Sequence, residues 1–186
     1  GYRKSADGRM EPDEEVSEIV RQIFEWAADG NTAAEITRKL YAMKIPTPGE
    51  YRRNKGKDHY NVSRTHGVWN SSTVLRMLAD QRYIGTYVIG KRKVQEIGSR
   101  RMKLKDESEW FKIPDHHQAI VSKELFEKAN ASIKRFSLPN KKQRDYLLRG
   151  KVFCGCCDHA MSLRNDVWFY CRHSEVAENL PCHGVR

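Results

Sequence analysis

Val152-Phe153-Cys154-Gly155-Cys156-Cys157-Asp158-His159-Ala160-Met161 sets the architecture at this end of the chain; Trp168-Phe169-Tyr170-Cys171 and Cys182-His183-Gly184 follow it. A Cys-x-x-Cys on a tight turn brings two thiolates to one metal ion, and two more ligands close a tetrahedral structural site. Cys154 and Cys157 have the two-residue spacing, whereas Cys154 with Cys156 is too tight a step, so Cys156 is the spare. The expected set is Cys154, Cys157, Cys171 and Cys182 around one structural Zn²⁺. His173 and His183 keep a Cys₃His set open, and disulfides or unpaired thiols are the other readings. All five cysteines lie in the last 33 residues, which favours a local metal site over a secreted disulfide framework. So small a module buries little apolar surface, and the metal would supply much of its stability. No ligand position is left open, which argues against a catalytic zinc.

Upstream, Pro139-Asn140-Lys141-Lys142-Gln143-Arg144-Asp145 reads as a polar linker, and before it Ser122 caps a helix carrying Leu125, Phe126, Ala129 and Ile133. Near the other end, Val16, Ile19, Val20, Ile23, Phe24 and Ala27 recur at helical steps after Pro12, with Asp13, Glu14 and Glu15 opposing the dipole and Gly30 as a left-handed cap. Thr32-Ala33-Ala34-Glu35 is a capping box opening a second helix that faces Ile36, Leu40 and Met43 inward. Together these form a helical hairpin, either plain scaffolding or half of a helix-turn-helix. Ile45-Pro46-Thr47-Pro48-Gly49 breaks the pattern, and Glu50 to Val68 reads as a long polar, basic loop. Asn70-Ser71-Ser72-Thr73 then caps a short helix with Val74, Leu75 and Leu78 buried and Ser72, Thr73 and Arg76 exposed. Residues 83–90 read as a strand, Trp110–Ile113 as its return, and Gly98 to Lys105 as a flexible basic connection. The fold class is therefore α+β: a helical domain with a small β-sheet or hairpin, followed by a small zinc β-ribbon. The domain limits read as 1–137, a linker at 138–146, and 147–186.

The chain is 186 residues long with a net charge of +10. Residues 1–49 hold seven Lys/Arg against nine Asp/Glu, a net of −2, whereas residues 50–105 hold fourteen against four, a net of +10. The last stretch, 106–186, holds thirteen against eleven, a net of +2. A localised excess of this kind suits a polyanion, although a solvated charged loop would also produce it. No apolar run is long enough to span a bilayer, and no signal peptide is seen, so a membrane partner is not expected. The chain starts without Met and stops shortly after its last Cys, so both ends read as cut from something longer. His116-His117 beside Asp115 reads as surface structure before acid–base or metal chemistry. Trp69, Tyr60 and Tyr83 read as anchors before base-stacking platforms.

At this point the residues resemble a family. Gly1-Tyr2, Glu18 to Phe24, Ala34 to Leu40, Ile45 to Pro48, Trp69 to Val74, Tyr83-Ile84-Gly85 and His117 to Val121 are similar, in order, to the recombinase domain of large serine recombinases. The cysteine segment resembles the recombinase zinc β-ribbon that follows it in that family. The resemblance implies a bacterial, cytoplasmic, nucleoid-associated protein of a mobile genetic element, an integrase or transposase acting in DNA integration and recombination. It implies a parent enzyme whose serine nucleophile sits in a catalytic domain before Gly1, so the fragment itself is expected to be non-catalytic. The family's coiled-coil region has no counterpart here. Duplex DNA at an attachment half-site and other recombinase subunits are the expected partners, with no small-molecule substrate. Arg52, Arg53, Lys55, Lys57, Arg64, Lys91, Arg92, Lys93, Arg100 and Arg101 are the expected phosphate contacts. Ser71, Ser72, Thr73 and Arg76 are the expected base-edge readers, and Arg164 and Asn165, on a hairpin tip, would read a groove. The competing reading is a zinc-ribbon module for nucleic acid or protein, unrelated to recombination.

Overall fold

In the computed structural model the described residues are 1–56, 67–96, 98, 101–135, 146–165, 167–177 and 179–182. They fall into two compact units, one of Gly1–Gly30 with Arg76–Arg135 and the other of Asn31–Leu75 with Phe136–Arg186. None of the described helices is long and apolar enough to cross a membrane.

The first unit opens with an antiparallel hairpin, β1 (Tyr2–Lys4) against β2 (Met10–Pro12), in the register Tyr2↔Pro12. The sequence reading had no element there. Asp13 then stands at the N-cap position of α1 (Glu14–Ala28) without a side-chain capping bond, the first turn carries Glu14 and Glu15, and Gly30 follows at φ +94° as expected of a left-handed stop. Val20, Ile23, Phe24 and Ala27 are buried on one face. That face lies along α5 (Lys123–Arg135), where Phe24 stacks on Phe126 at 5.7 Å and Ala129 is buried. Ser122 does cap α5, its Oγ accepting from Leu125 N at 3.2 Å.

Between these helices, the residues read as one strand from Tyr83 divide in two. Gln81–Ile84 is a 3₁₀ turn ending on Gly85 at φ +82°, and only Tyr87–Ile89 is strand β3. The Tyr83 carbonyl in this turn accepts from both Ile120 N and Val121 N at 3.0 Å, so its hydrogen bonds go to the segment before α5 and not to a strand partner. The Tyr2 hydroxyl lies 3.0 and 2.9 Å from the carbonyls of Arg82 and Gln118, its one proton shared between the two acceptors, and this ties β1 to the turn. Numbering the remaining strands in chain order, β3 pairs antiparallel with β6 (Phe111–Ile113), as the sequence suggested. The basic connection is not shapeless: β4 (Arg92–Val94) and β5 (Met102–Leu104) pair as a hairpin, Arg92↔Leu104, Lys93↔Lys103 and Val94↔Met102.

In the second unit the Thr32 capping box is complete, with Glu35 N donating to Thr32 Oγ1 at 3.3 Å and Thr32 N to Glu35 Oε2 at 2.7 Å. It opens α2 (Ala33–Ala42), which buries Ala33, Ile36, Thr37 and Leu40. Met43 is not in the core: it is the C-cap residue and 59% exposed, because the helix ends one residue before it could turn inward. The stretch read as a loop from Glu50 begins instead as α3 (Pro48–Asn54). Thr47 and Glu50 form a second capping box, and Pro48 occupies the first turn, where its missing N–H costs nothing. Glu50 also accepts from Gly67 N at 2.8 Å, and the Trp69 indole donates to the Ile45 carbonyl at 2.9 Å with its ring buried. Residues 57–66 and the linker at 138–145 lie outside the described residues.

Helix α4 (Ser71–Leu78) is shared by the two units in sequence. Asn70 Oδ1 accepts from Ser72 N at 2.9 Å at its start. Val74 and Leu78 are buried, but Leu75 is 43% exposed, one position off the buried stripe.

Candidate metal centre and basic surface

The cysteine segment folds as a turn and two strands. Cys154 N donates to the His159 carbonyl at 2.9 Å and Asp158 N to the Cys154 carbonyl at 2.8 Å, closing the Cys-x-x-Cys loop, with Asp158 at φ +52°. Phe153 bridges Ala160, and β7 (Ser162–Arg164) pairs with β8 (Trp168–Tyr170). Strand β8 delivers Cys171, and the chain returns to place Cys182.

All four expected ligand thiols converge: the sulfurs of Cys154, Cys157, Cys171 and Cys182 lie within 4.8 Å of one another, and all four residues are buried. Cys157 Sγ and Cys171 Sγ are 3.5 Å apart. A tetrahedral Zn–S₄ site with bonds near 2.3 Å has sulfur–sulfur edges of about 3.8 Å, so these thiols fit such an ion with little movement. Cys156 is exposed, its thiol donates to the Pro181 carbonyl at 3.3 Å, and it is not among the four converging ligands. His173 is buried but stacks on His159 at 4.1 Å and is not among the converging groups; His183 lies outside the described residues. No bridge joins the cysteines, all five being free thiols.

Burial works to raise the Cys154 thiol, yet hydrogen bonds from the backbone N–H groups of Cys156 and Cys157, together with those from the Cys157 and Cys182 thiols, bring Cys154 down to about 7. Burial pushes Cys171 up to about 11, with the neighbouring Cys157 adding to it, and pushes Cys182 further up. Four thiolates crowded together repel unless a metal neutralises them.

The basic residues are more scattered. Arg52, Arg53 and Lys55 belong to the end of α3, where cations oppose the negative end of the dipole, and all three are exposed. A cavity of about 560 Å³ adjoins α3, lined by Tyr41, Lys44, Glu50, Arg53, Gly67 and Asn179 among others. On α4, Ser72 and Arg76 are exposed, and Ser71 and Thr73 are half-buried. Lys91, Arg92, Lys93 and Arg101 do come together, on the β4–β5 hairpin. Lys57, Arg64 and Arg100 lie outside the described residues. Asn165 sits at the β7–β8 turn at φ +53° and is exposed. Arg164, beside it, is held: its Nη2 pairs with Glu175 at 2.6 Å and its guanidinium lies 4.5 Å over the Tyr170 ring.

Lys103 and Lys105, in the stretch the sequence reads as a flexible basic connection, stand on the same hairpin. The signal for its strands was the spacing of two in Lys91, Lys93 and again in Arg101, Lys103, Lys105, a strand alternation written in charge where apolar alternation is the usual cue.

A family described as Recombinase matches residues 14–136. The uncharacterized protein y4bA/y4pH of Sinorhizobium fredii (strain NBRC 101917 / NGR234) is 27% identical over 180 residues, covering 86% of this chain and 24% of that protein. The chain thus spans about a quarter of that relative's length. Among solved structures, it is similar to one described as a crystal structure of an LSR–DNA complex, with a TM-score of 0.46 and 16% identity over 97% of this chain and 50% of that one. A structure from work on the sequence requirements of the Listeria innocua prophage attP site gives a TM-score of 0.47 and 14% identity, covering 97% of this chain and 66% of that one.

Proposed function

The chain belongs to the Recombinase family, and from that premise we propose that it is the DNA-binding C-terminal part of a large serine recombinase, gripping duplex DNA at a recombination half-site. The family match over residues 14–136 carries this reading. The concentration of positive charge in residues 50–105 supports it, because a basic patch neutralising phosphates supplies most of the affinity of such proteins. The serine nucleophile is assigned to a separate catalytic domain of the parent, and this part is read as non-catalytic. Residues 1–137 and the ribbon at 147–186, joined by 138–146, would take neighbouring stretches of the half-site, alongside other recombinase subunits in the bacterial cytoplasm.

Zn²⁺ is the proposed occupant of the four-cysteine cluster, since soft thiolates at tetrahedral spacing favour zinc or iron–sulfur chemistry and four closed ligands suit a structural role. When bound it would hold the β7–β8 hairpin and its tip, Asn165, in place. Arg52, Arg53, Lys55, Lys57, Arg64, Lys91, Arg92, Lys93, Arg100 and Arg101 are assigned to phosphates. Ser71, Ser72, Thr73 and Arg76 are assigned to base edges, and Arg164 and Asn165 to a groove.

The test is selection of duplex sites from random sequence, followed by footprinting and competition with single-stranded DNA, RNA and random duplex. A selected duplex should outcompete the others. Equal competition by RNA, or no duplex binding, sinks the proposal in favour of a ribbon with another partner. Arg76→Ala should cost roughly 1–3 kcal/mol on the selected site and relax its specificity; equal weakening on random duplex would reject a base-reading role.

A further inference from the structure

The β4–β5 hairpin carries its charge on one side. Beyond the three paired residues of each strand, Gln95 N donates to the Arg101 carbonyl at 3.1 Å and Lys105 N to the Lys91 carbonyl at 2.9 Å, so the ladder runs from Lys91 to Gln95 against Arg101 to Lys105. Side chains alternate faces along a strand. One face therefore presents Lys91, Lys93, Gln95, Arg101, Lys103 and Lys105, five cations and no carboxylate. The other presents Arg92, Val94, Met102 and Leu104. Lys93 stands directly opposite Lys103, and Lys91 opposite Lys105.

Like charges directly across a strand pair destabilise it. At the base of the hairpin the repulsion is relieved locally: Lys91 Nζ lies 5.0 Å from the centre of the Trp110 ring, and Lys105 reaches Glu109 at 3.7 Å. Nearer the tip, Lys93 and Lys103 are exposed and, among the described residues, neither makes an ion pair. What would relieve that pair is an anion that spans the face, with charges repeated along it. A phosphodiester backbone has that form; a single carboxylate does not.

We infer that the face of the β4–β5 hairpin bearing Lys91, Lys93, Arg101, Lys103 and Lys105 is a phosphate-binding track for the backbone of duplex DNA, with Lys93 and Lys103 as its central pair. The inference rests on the DNA-binding reading above and sharpens it in two respects. It places Lys103 and Lys105 on one face with Lys91, Lys93 and Arg101, and it separates Lys93 from its neighbour Arg92, which the register turns to the opposite face.

The full chain and a labelled random-sequence duplex, titrated from about 50 to 200 mM salt, decide the matter. Each phosphate contact contributes about 0.9 to the slope of log affinity against log salt. Lys93→Gln with Lys103→Gln should lower that slope by about 2, so the variant loses roughly ten-fold less affinity than the parent across this range. It should weaken selected and random duplex alike, as backbone contacts do. Lys93→Arg with Lys103→Arg should restore the slope. Lys123→Gln with Lys128→Gln on α5 removes the same charge and should leave it unchanged. An unchanged slope in the Lys93/Lys103 glutamine variant overturns the inference while leaving duplex binding itself intact, as does an equal loss from Arg92→Gln alone. Absence of duplex binding by the parent chain would overturn the underlying reading instead.

Discussion

Removing the metal from the cysteine cluster should unfold the ribbon. Outside the cysteines, Met161 is, among the described residues, the one large apolar side chain buried in this core, with Val152, Phe169 and Leu180 partly buried against it. Burying a side chain of that size contributes about 1.5–3 kcal/mol. A structural zinc held by such ligands would contribute about 10–16 kcal/mol at neutral pH, several times more, so such an ion, rather than the apolar contacts, would decide whether the ribbon folds. The protein should bind one zinc, released quantitatively to a chromogenic chelator when the thiols are alkylated. After chelation, hydrogen exchange should show loss of protection across Cys154, Met161 and the β7–β8 ladder, while α1 and α5 keep theirs. Cys156→Ser should retain the metal, since that thiol faces the Pro181 carbonyl, and Cys157→Ser should lose it. The reasoning fails if the ladder stays protected without metal, or if the two serine variants release zinc equally.

The turn at Gly85 allows a sharp steric test. A Cβ there would lie 2.8 Å from the His117 carbonyl oxygen at a backbone φ of +82°, whereas a Cβ at Gly90, φ +72°, meets nothing within 4 Å. Gly90→Ala should lose about 1–2 kcal/mol for the left-handed backbone alone, and Gly85→Ala about 2–4 kcal/mol by urea titration; equal losses would remove the clash from the account. Acid stability should depend on Asp80. Burial would raise its carboxyl, but hydrogen bonds and charge from Arg82, including a contact from Arg82 Nε at 2.9 Å, hold it below the usual carboxylate range. A depressed folded pKa adds stability that is complete above the ordinary carboxylate value and lost as pH falls through the folded one. Asp80→Asn should therefore flatten the stability profile below about pH 4; a profile as steep as the parent's would count against the pair.

How much of this was legible in the sequence depended on whether a signal was local. The Thr32 box could be read because an apolar helical stripe follows it. The same Thr-x-x-Glu signature at Thr47 was hidden, since Pro48 and Gly49 also spell a break and α3 buries no residue that would mark a stripe. Cys157 could be chosen over Cys156 because ligand spacing is a property of the turn itself. The β4–β5 hairpin and the β1–β2 hairpin could not be read, as their three-residue strands show too little apolar alternation to stand out. Met43 and Leu75 missed the core by a single position, which is where helix ends and neighbouring packing, not periodicity, decide.

The clasp on Arg164 has a consequence for how the ribbon would meet a partner. An exposed ion pair of this kind adds at most about 1 kcal/mol to stability, so its effect is to fix direction. A guanidinium already stacked on Tyr170 and paired with Glu175 has few rotamers left to surrender. To take up an incoming group it must trade one anion for another, or keep Glu175 and offer its remaining N–H groups. Arg164 would therefore lend a preset direction to the β7–β8 tip, whereas Lys93 and Lys103 of the hairpin, exposed and without an ion pair among the described residues, would lend charge.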